Sequence, residues 1–115
     1  MDNNFHDAEI LGIEKSHQGK LILRVSLQNK KNLNIIFHSA VWWQLSPFEI
    51  ENILYDKIIE YKKNNIPQEI TNILQKNINN EFINFILNGE YNVYSIISIH
   101  GCEGIIVATE INYSY

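Results

Sequence analysis

Between Lys20 and Phe37 the chain alternates with a period of two, a pattern that fits a strand and not a helix. Leu21, Leu23, Val25 and Leu27 point one way, while Ile22, Arg24 and Ser26 point the other. Across the polar stretch Gln28-Asn29-Lys30-Lys31-Asn32 the alternation resumes, with Leu33, Ile35 and Phe37 on one face and Asn34, Ile36 and His38 on the other. A polar loop between two such runs is a hairpin. Residues 8–15 (Ala8-Glu9-Ile10-Leu11-Gly12-Ile13-Glu14-Lys15) add a third strand ahead of the turn Ser16-His17-Gln18-Gly19. A three-stranded antiparallel meander is therefore predicted for the first third of the chain.

Val41-Trp42-Trp43-Gln44-Leu45 predicts a further strand or strand-like crossing before Ser46-Pro47. Adjacent residues on a strand face opposite sides. One tryptophan can fill the core, and the other needs a second layer or a binding surface. Residues 48–61 fit two patterns. Ile50, Ile53, Leu54, Ile58 and Tyr61 make a helical stripe, while Ile53, Tyr55, Ile59 and Tyr61 make one strand face. The start at Ser46-Pro47 suits a helix. The β-branched and aromatic content favours a strand over 51–61. Pro67 suits the first position of a helix in which Ile70, Ile73, Leu74 and Ile78 share a face. Phe82, Phe85 and Ile86 extend the helical pattern to a cap at Gly89. Tyr91 to Ile99 and Ile105 to Ile111 then predict two strands around the tight loop His100-Gly101-Cys102-Glu103-Gly104.

No linker or repeat divides these elements, and 115 residues suffice for one core and not two. The expectation is a single α+β domain over residues 1–115. It would hold a mostly antiparallel sheet of about six strands, with one or two helices packed on one face. A hydrophobic content of 45% argues against disorder. No apolar run is long enough to span a bilayer. Met1 to Asp7 is acidic and polar, without the features of a secretory leader, and Cys102 is the lone cysteine. Both point to a cytoplasmic protein with no membrane partner.

The net charge of −4 is unevenly placed. Residues 1–47 carry four acids and five bases, whereas residues 48–115 carry nine acids and four bases. Beyond Lys76 there is no Lys or Arg. With one Arg in the chain, direct binding to a nucleic-acid backbone is not expected. A basic protein is the better electrostatic match for the acidic half.

Catalytic patterns are sparse. His6, His17, His38 and His100 show no metal-site spacing, so no metal or other cofactor is expected. A site built from His6, Asp7, His38 and Glu103 would have to be assembled by folding. His6 and Asp7 on a strand would face apart, which suits structural roles at the approach to the first strand. Cys102 stands near two glycines with no cation nearby in sequence to stabilise a thiolate.

The opening Phe5-His6-Asp7-Ala8-Glu9-Ile10-Leu11-Gly12-Ile13-Glu14, with the basic alternating strand pair behind it, resembles small bacterial immunity proteins. These are the cytosolic antidotes of contact-dependent growth inhibition and related polymorphic toxin systems. The aromatic crossing at Trp42-Trp43 and the strand–glycine loop–strand unit from Tyr94 to Ile111 are similar to that family in layout. The resemblance implies a non-enzymatic protein that binds the C-terminal domain of one cognate toxin, a basic nuclease domain, and blocks its active site. On that reading Glu49, Glu51, Asp56, Glu60, Glu81, Glu90 and Glu103 form an acidic rim. Trp42, Tyr55 or Tyr91 supplies an aromatic anchor, and His6 and Asp7 belong to the scaffold. A monomer is favoured over an oligomer. Two alternatives stand beside it: a small hydrolase or metal-dependent enzyme using His6, Asp7, His38 and Cys102, and a homo-oligomerising structural domain.

Overall fold

The computed structural model describes residues 5–55 and 58–115. The predicted meander is there: β1 (Glu9–Lys15), β2 (Leu21–Ser26) and β3 (Asn32–His38), paired antiparallel in sequence order. The turns that join them are closed by their own side chains. Ser16 Oγ accepts from the backbone N–H of Gln18 and Lys20, and Asn29 Oδ1 accepts from that of Lys31. Lys30, at φ 68°, supplies the left-handed residue that the second turn needs.

Beyond β3 the chain repeatedly changes sheets. β4 (Trp42–Leu45) pairs with β9 (Gly104–Ala108), while β3 pairs with β10 (Glu110–Ser114). One antiparallel ladder thus bends from one sheet into another. Its two chains turn together, because Thr109 donates both its backbone N–H and its hydroxyl to the carbonyl of His38, each at 2.9 Å. A second ladder does the same. β5 (Ile53–Leu54) pairs with β8 (Ser98–His100), and β6 (Ile59–Tyr61) pairs with β7 (Asn92–Ile96). At this bend Tyr55 N–H donates to the carbonyl of Ile97. Among the described residues this gives a six-stranded sheet, β10-β3-β2-β1-β5-β8, and a four-stranded sheet, β4-β9-β7-β6.

The layers follow from alternation along β7 and β9. Tyr94, Ile96, Ile106 and Ala108 point to the six-stranded sheet and meet Ile10, Leu23, Val25, Ile35 and Phe37 in the main core. Val93, Ile105 and Val107 point the other way, onto Leu74 and Ile86 of the helices α1 (Gln68–Asn77) and α2 (Asn80–Leu87). The adjacent tryptophans divide as strand geometry requires: Trp43 packs on the core between the sheets, and Trp42 on the helix side.

The α+β class, the antiparallel six-stranded sheet and the helices on one face agree with the sequence reading. The four-stranded sheet lying between them is the addition. Within 51–61 the strands β5 and β6 form, and the described residues of 48–61 hold no helix. Pro67 sits one position before the helix it introduces, as its N-cap, with φ −60° and ψ 149°. The helical run then breaks at Asn79, whose side chain accepts from Phe82 N–H and starts α2. Gly89, at φ 85°, ends α2 as expected: Gly89 N–H reaches Ile86 O and Glu90 N–H reaches Phe85 O, both at 3.0 Å.

Candidate partner-binding site

Between β4 and β5 the chain runs through Ser46-Pro47-Phe48-Glu49-Ile50-Glu51-Asn52 and is held by one buried side chain. Asn52 Oδ1 accepts from the backbone N–H of Glu49 at 2.9 Å and of Cys102 at 3.0 Å, while its Nδ2 donates to the carbonyl of Glu49 at 2.9 Å. The amide closes the 49–52 turn on itself and ties it to the loop after β8. Gly101, at φ 81°, lets that loop approach: a Cβ there would lie 2.2 Å from Asn52 Oδ1. Ser46 completes the brace. Its backbone N–H donates to Glu103 O, and its hydroxyl accepts from Glu103 N–H and donates to Gly101 O.

The brace displays rather than buries apolar surface. Ile50, at the apex of the turn, is 99% exposed between the exposed acids Glu49 and Glu51. Phe48, Tyr55, Ile97 and Ile99 are also exposed, on the flanking turn and along the β5–β8 pair. Glu103 adds a third acid, with one carboxylate oxygen 3.2 Å from the N–H of Ser98. The ion pairs among the described residues are Arg24–Glu14 and His6–Asp7, and among those residues no cation pairs with Glu49, Glu51 or Glu103. Ile50 thus stands exposed between two carboxylates.

The other sequence-derived candidates lie elsewhere. Trp42 and Tyr91 are half-buried against the helix layer, with Tyr91 stacked on Phe82 at 5.5 Å, so neither presents an open ring. Glu81 begins α2 and Glu90 follows its end. Glu60, on β6, is exposed and is hydrogen-bonded to the hydroxyl of the buried Tyr94. Burial pushes the Tyr94 phenol far above its usual range, and a hydrogen bond to Glu60 pushes it further, against a lowering by Asn92. Asp56 lies outside the described residues. Of the acids and aromatics predicted for the rim, Glu49 and Glu51 share this turn, the backbone of Glu103 is tied to Ser46 ahead of it, and Tyr55 is exposed just past β5. Asn52, Phe48, Ile50, Ile97 and Ile99 were not among them. The triplet Glu49-Ile50-Glu51 just after Ser46-Pro47 was the available sequence signal, an isoleucine in a polar turn.

His6 and Asp7 do not face apart. Asp7 is in a turn with φ 59°, not on a strand, and its carboxylate lies 3.4 Å from His6 Nε2. His6 Nδ1 donates to Tyr55 O at 2.8 Å, and Asp7 accepts from Gln28 Nε2 at 3.3 Å. The pair therefore clasps the approach to β1 onto the end of β5 and the β2–β3 turn. His38 closes the far end of β3, about 20 Å from that turn at the rise of an extended strand. Cys102 is fully buried under Asn52, and burial raises its thiol pKa, with Glu103 adding to the effect. His6, Asp7, His38 and Cys102 do not converge. Among the described residues no three His, Cys, Asp or Glu side chains are grouped to hold a metal ion. The Cys102 thiol should react with a disulfide reagent only as fast as the protein unfolds, and immediate labelling of the native chain would contradict this burial.

No protein-family model matches the chain, and no curated protein or solved structure matches it either. Among the described residues no helix is long and apolar enough to cross a membrane.

Proposed function

We propose that this chain is a protein-binding inhibitor of the immunity type, acting in the cytoplasm on the basic nuclease domain of a cognate toxin and doing no bond-making itself. The observation that supports the reading is Ile50, fully exposed at the apex of a braced turn between the exposed acids Glu49 and Glu51. Covering a fully exposed isoleucine is worth roughly 1.5–3 kcal/mol. The acids attract a cationic cleft and repel a second copy of the same surface, which weighs against the homo-oligomeric alternative.

The test is to purify the chain with the toxin domain encoded beside it and to measure complex formation and toxin activity. A stable complex with loss of toxin activity is expected. Tyr55→Ala and Ile50→Asp should each weaken it by about 2 kcal/mol, roughly thirtyfold in Kd. Glu49→Gln with Glu51→Gln should slow association and flatten its salt dependence. Absence of binding by the unaltered chain, or turnover of a substrate that is lost when a histidine is replaced, would overturn the reading.

A further inference from the structure

The edge of the four-stranded sheet at β4 is built to accept another strand. Among the described residues β4 pairs with β9 on one side alone. The N–H of Ser46 donates to Glu103 O, which makes Ser46, Gln44 and Trp42 the positions whose backbone groups face β9 in the antiparallel alternation. Trp43 and Leu45 therefore turn their N–H and C=O groups outward, in a spacing that an extended backbone would match. Native sheets ordinarily cover or blunt such an edge with charge, proline or a bulge. Here Pro47 stands just past the strand, and no charged side chain lies on Trp42-Trp43-Gln44-Leu45 itself.

Gln44, Leu45 and Ser46 line two hollows, the larger reaching across the inner strands of the sheet to Ser95 and Tyr61, the smaller lying on the side of β4 away from β9. The larger, about 950 Å³, runs beneath α1 between Ile70, Ile73 and Ile105. The smaller, about 570 Å³, opens towards the six-stranded sheet between Ile13, Trp43 and Phe48. Successive side chains of a strand point to opposite faces. A strand laid along β4 would set alternate side chains into the smaller hollow, which no residue of β9 lines, while its backbone met Trp43 and Leu45. Backbone bonds supplying affinity and flanking hollows supplying selectivity are how sheet edges recognise extended peptides.

Charge specifies the occupant's direction. Glu103 and Glu69 line the larger hollow with Lys76, and Glu49 and Glu51 stand on the turn just beyond the C-terminal end of β4. Lys15 lines the smaller hollow beside Glu14, which is already held by Arg24 at 2.9 Å. The acids predominate at the C-terminal end of β4, where an antiparallel partner begins.

We propose that β4 takes up an extended segment of another protein, antiparallel to Trp42–Leu45, with Lys or Arg at the segment's N-terminal end and an apolar side chain entering the smaller hollow. This goes beyond the toxin reading and does not require it, since the recognition is of a peptide backbone and its charge.

Amide hydrogen exchange read residue by residue tests it, with the free peptide Lys-Lys-Thr-Val-Tyr-Val-Thr as probe and no toxin present. The peptide should slow exchange at the Trp43 and Leu45 amides by about tenfold at saturation, leaving the Trp42 and Gln44 amides, already bonded to β9, little changed. The same peptide opening with Glu-Glu should bind at least about tenfold more weakly at low salt. Glu49→Lys with Glu51→Lys, at exposed side chains that hold nothing in the fold, should abolish that preference. No slowing at Trp43 and Leu45, equal binding of the two peptides, or slowing produced by raising the concentration of the protein alone would each overturn the proposal. The last of these would assign the edge to a second copy. Failure of the toxin complex to form leaves all three readouts intact, so the two ideas fail separately.

Discussion

Phe37→Ala is expected to lower the free energy of unfolding by about 3–5 kcal/mol, measured by urea denaturation at constant m-value. Phe37 is fully buried on β3, and its ring meets Tyr94 of β7 edge-on at 5.4 Å. The two residues belong to different sheets, so the contact is one of those that hold the sandwich together. Removing the ring leaves a void bounded by strands whose registers are fixed by their own ladders, which limits collapse around it. A domain of this size has about 5–15 kcal/mol in all, so the variant would stand near the threshold of folding. The helix-side Phe85 is 46% exposed on α2, touching Phe82 at 6.4 Å, and provides the comparison. Its replacement by Ala should cost no more than about 1 kcal/mol, because water already reaches much of the ring. Equal losses at the two positions would mean that the space between the sheets is not the principal core.

The contrast between these phenylalanines also shows what could be read from the chain. Phe37 sits in an alternating run whose apolar face is unmistakable, and β1, β2 and β3 carry enough period-two signal to be placed without tertiary information. The tryptophan pair likewise implied a core on one side of β4 and a second layer or a binding surface on the other. What local pattern does not carry is a change of pairing partner. Tyr91 to Ile99 and Ile105 to Ile111 are continuous apolar and β-branched runs, yet the first divides between two sheets at Ile97 and the second at Thr109. A strand that bends into another sheet keeps its alternation, so the bend leaves no periodic trace. It is decided by long-range bonds such as that from Thr109 to His38 O. Ile78 misleads for a similar reason. It continues the stripe of α1, whereas the break is set by the Asn79 side chain capping the next helix. At the candidate surface Glu49, Glu51 and Tyr55 were legible as charge and aromaticity. The turn that sets Glu49 and Glu51 on either side of an exposed Ile50 was not, because it depends on one buried asparagine that nothing in the sequence marks off from the others.

That asparagine carries the other large expected effect. Asn52→Ala should destabilise the protein by about 3 kcal/mol, since it strips the partner from a buried Cys102 N–H and opens the 49–52 turn together. An unsatisfied buried N–H costs about 1–3 kcal/mol by itself, and the groups of Glu49, being near solvent, recover part of their loss through water. The side chain also spaces the 49–52 turn from the loop after β8: the missing Cβ of Gly101 would have met it at 2.2 Å. Deleting the amide thus leaves a gap at the point where the two loops meet. The effect should reach function beyond stability. Glu49 and Ile50 are positioned by this amide and Glu103 by the adjoining bonds to Ser46, so the acidic rim should lose its shape even where the molecule remains folded. Residue-resolved hydrogen exchange at a temperature well below the midpoint separates the two consequences. Amides of Cys102 and Glu103 should exchange faster while those of Leu23 and Ile35 in the central strands keep their protection. If Cys102 stayed as protected as in the unaltered chain, the loop would be held by its glycines and by Ser46, and Asn52 would be a passenger in the core.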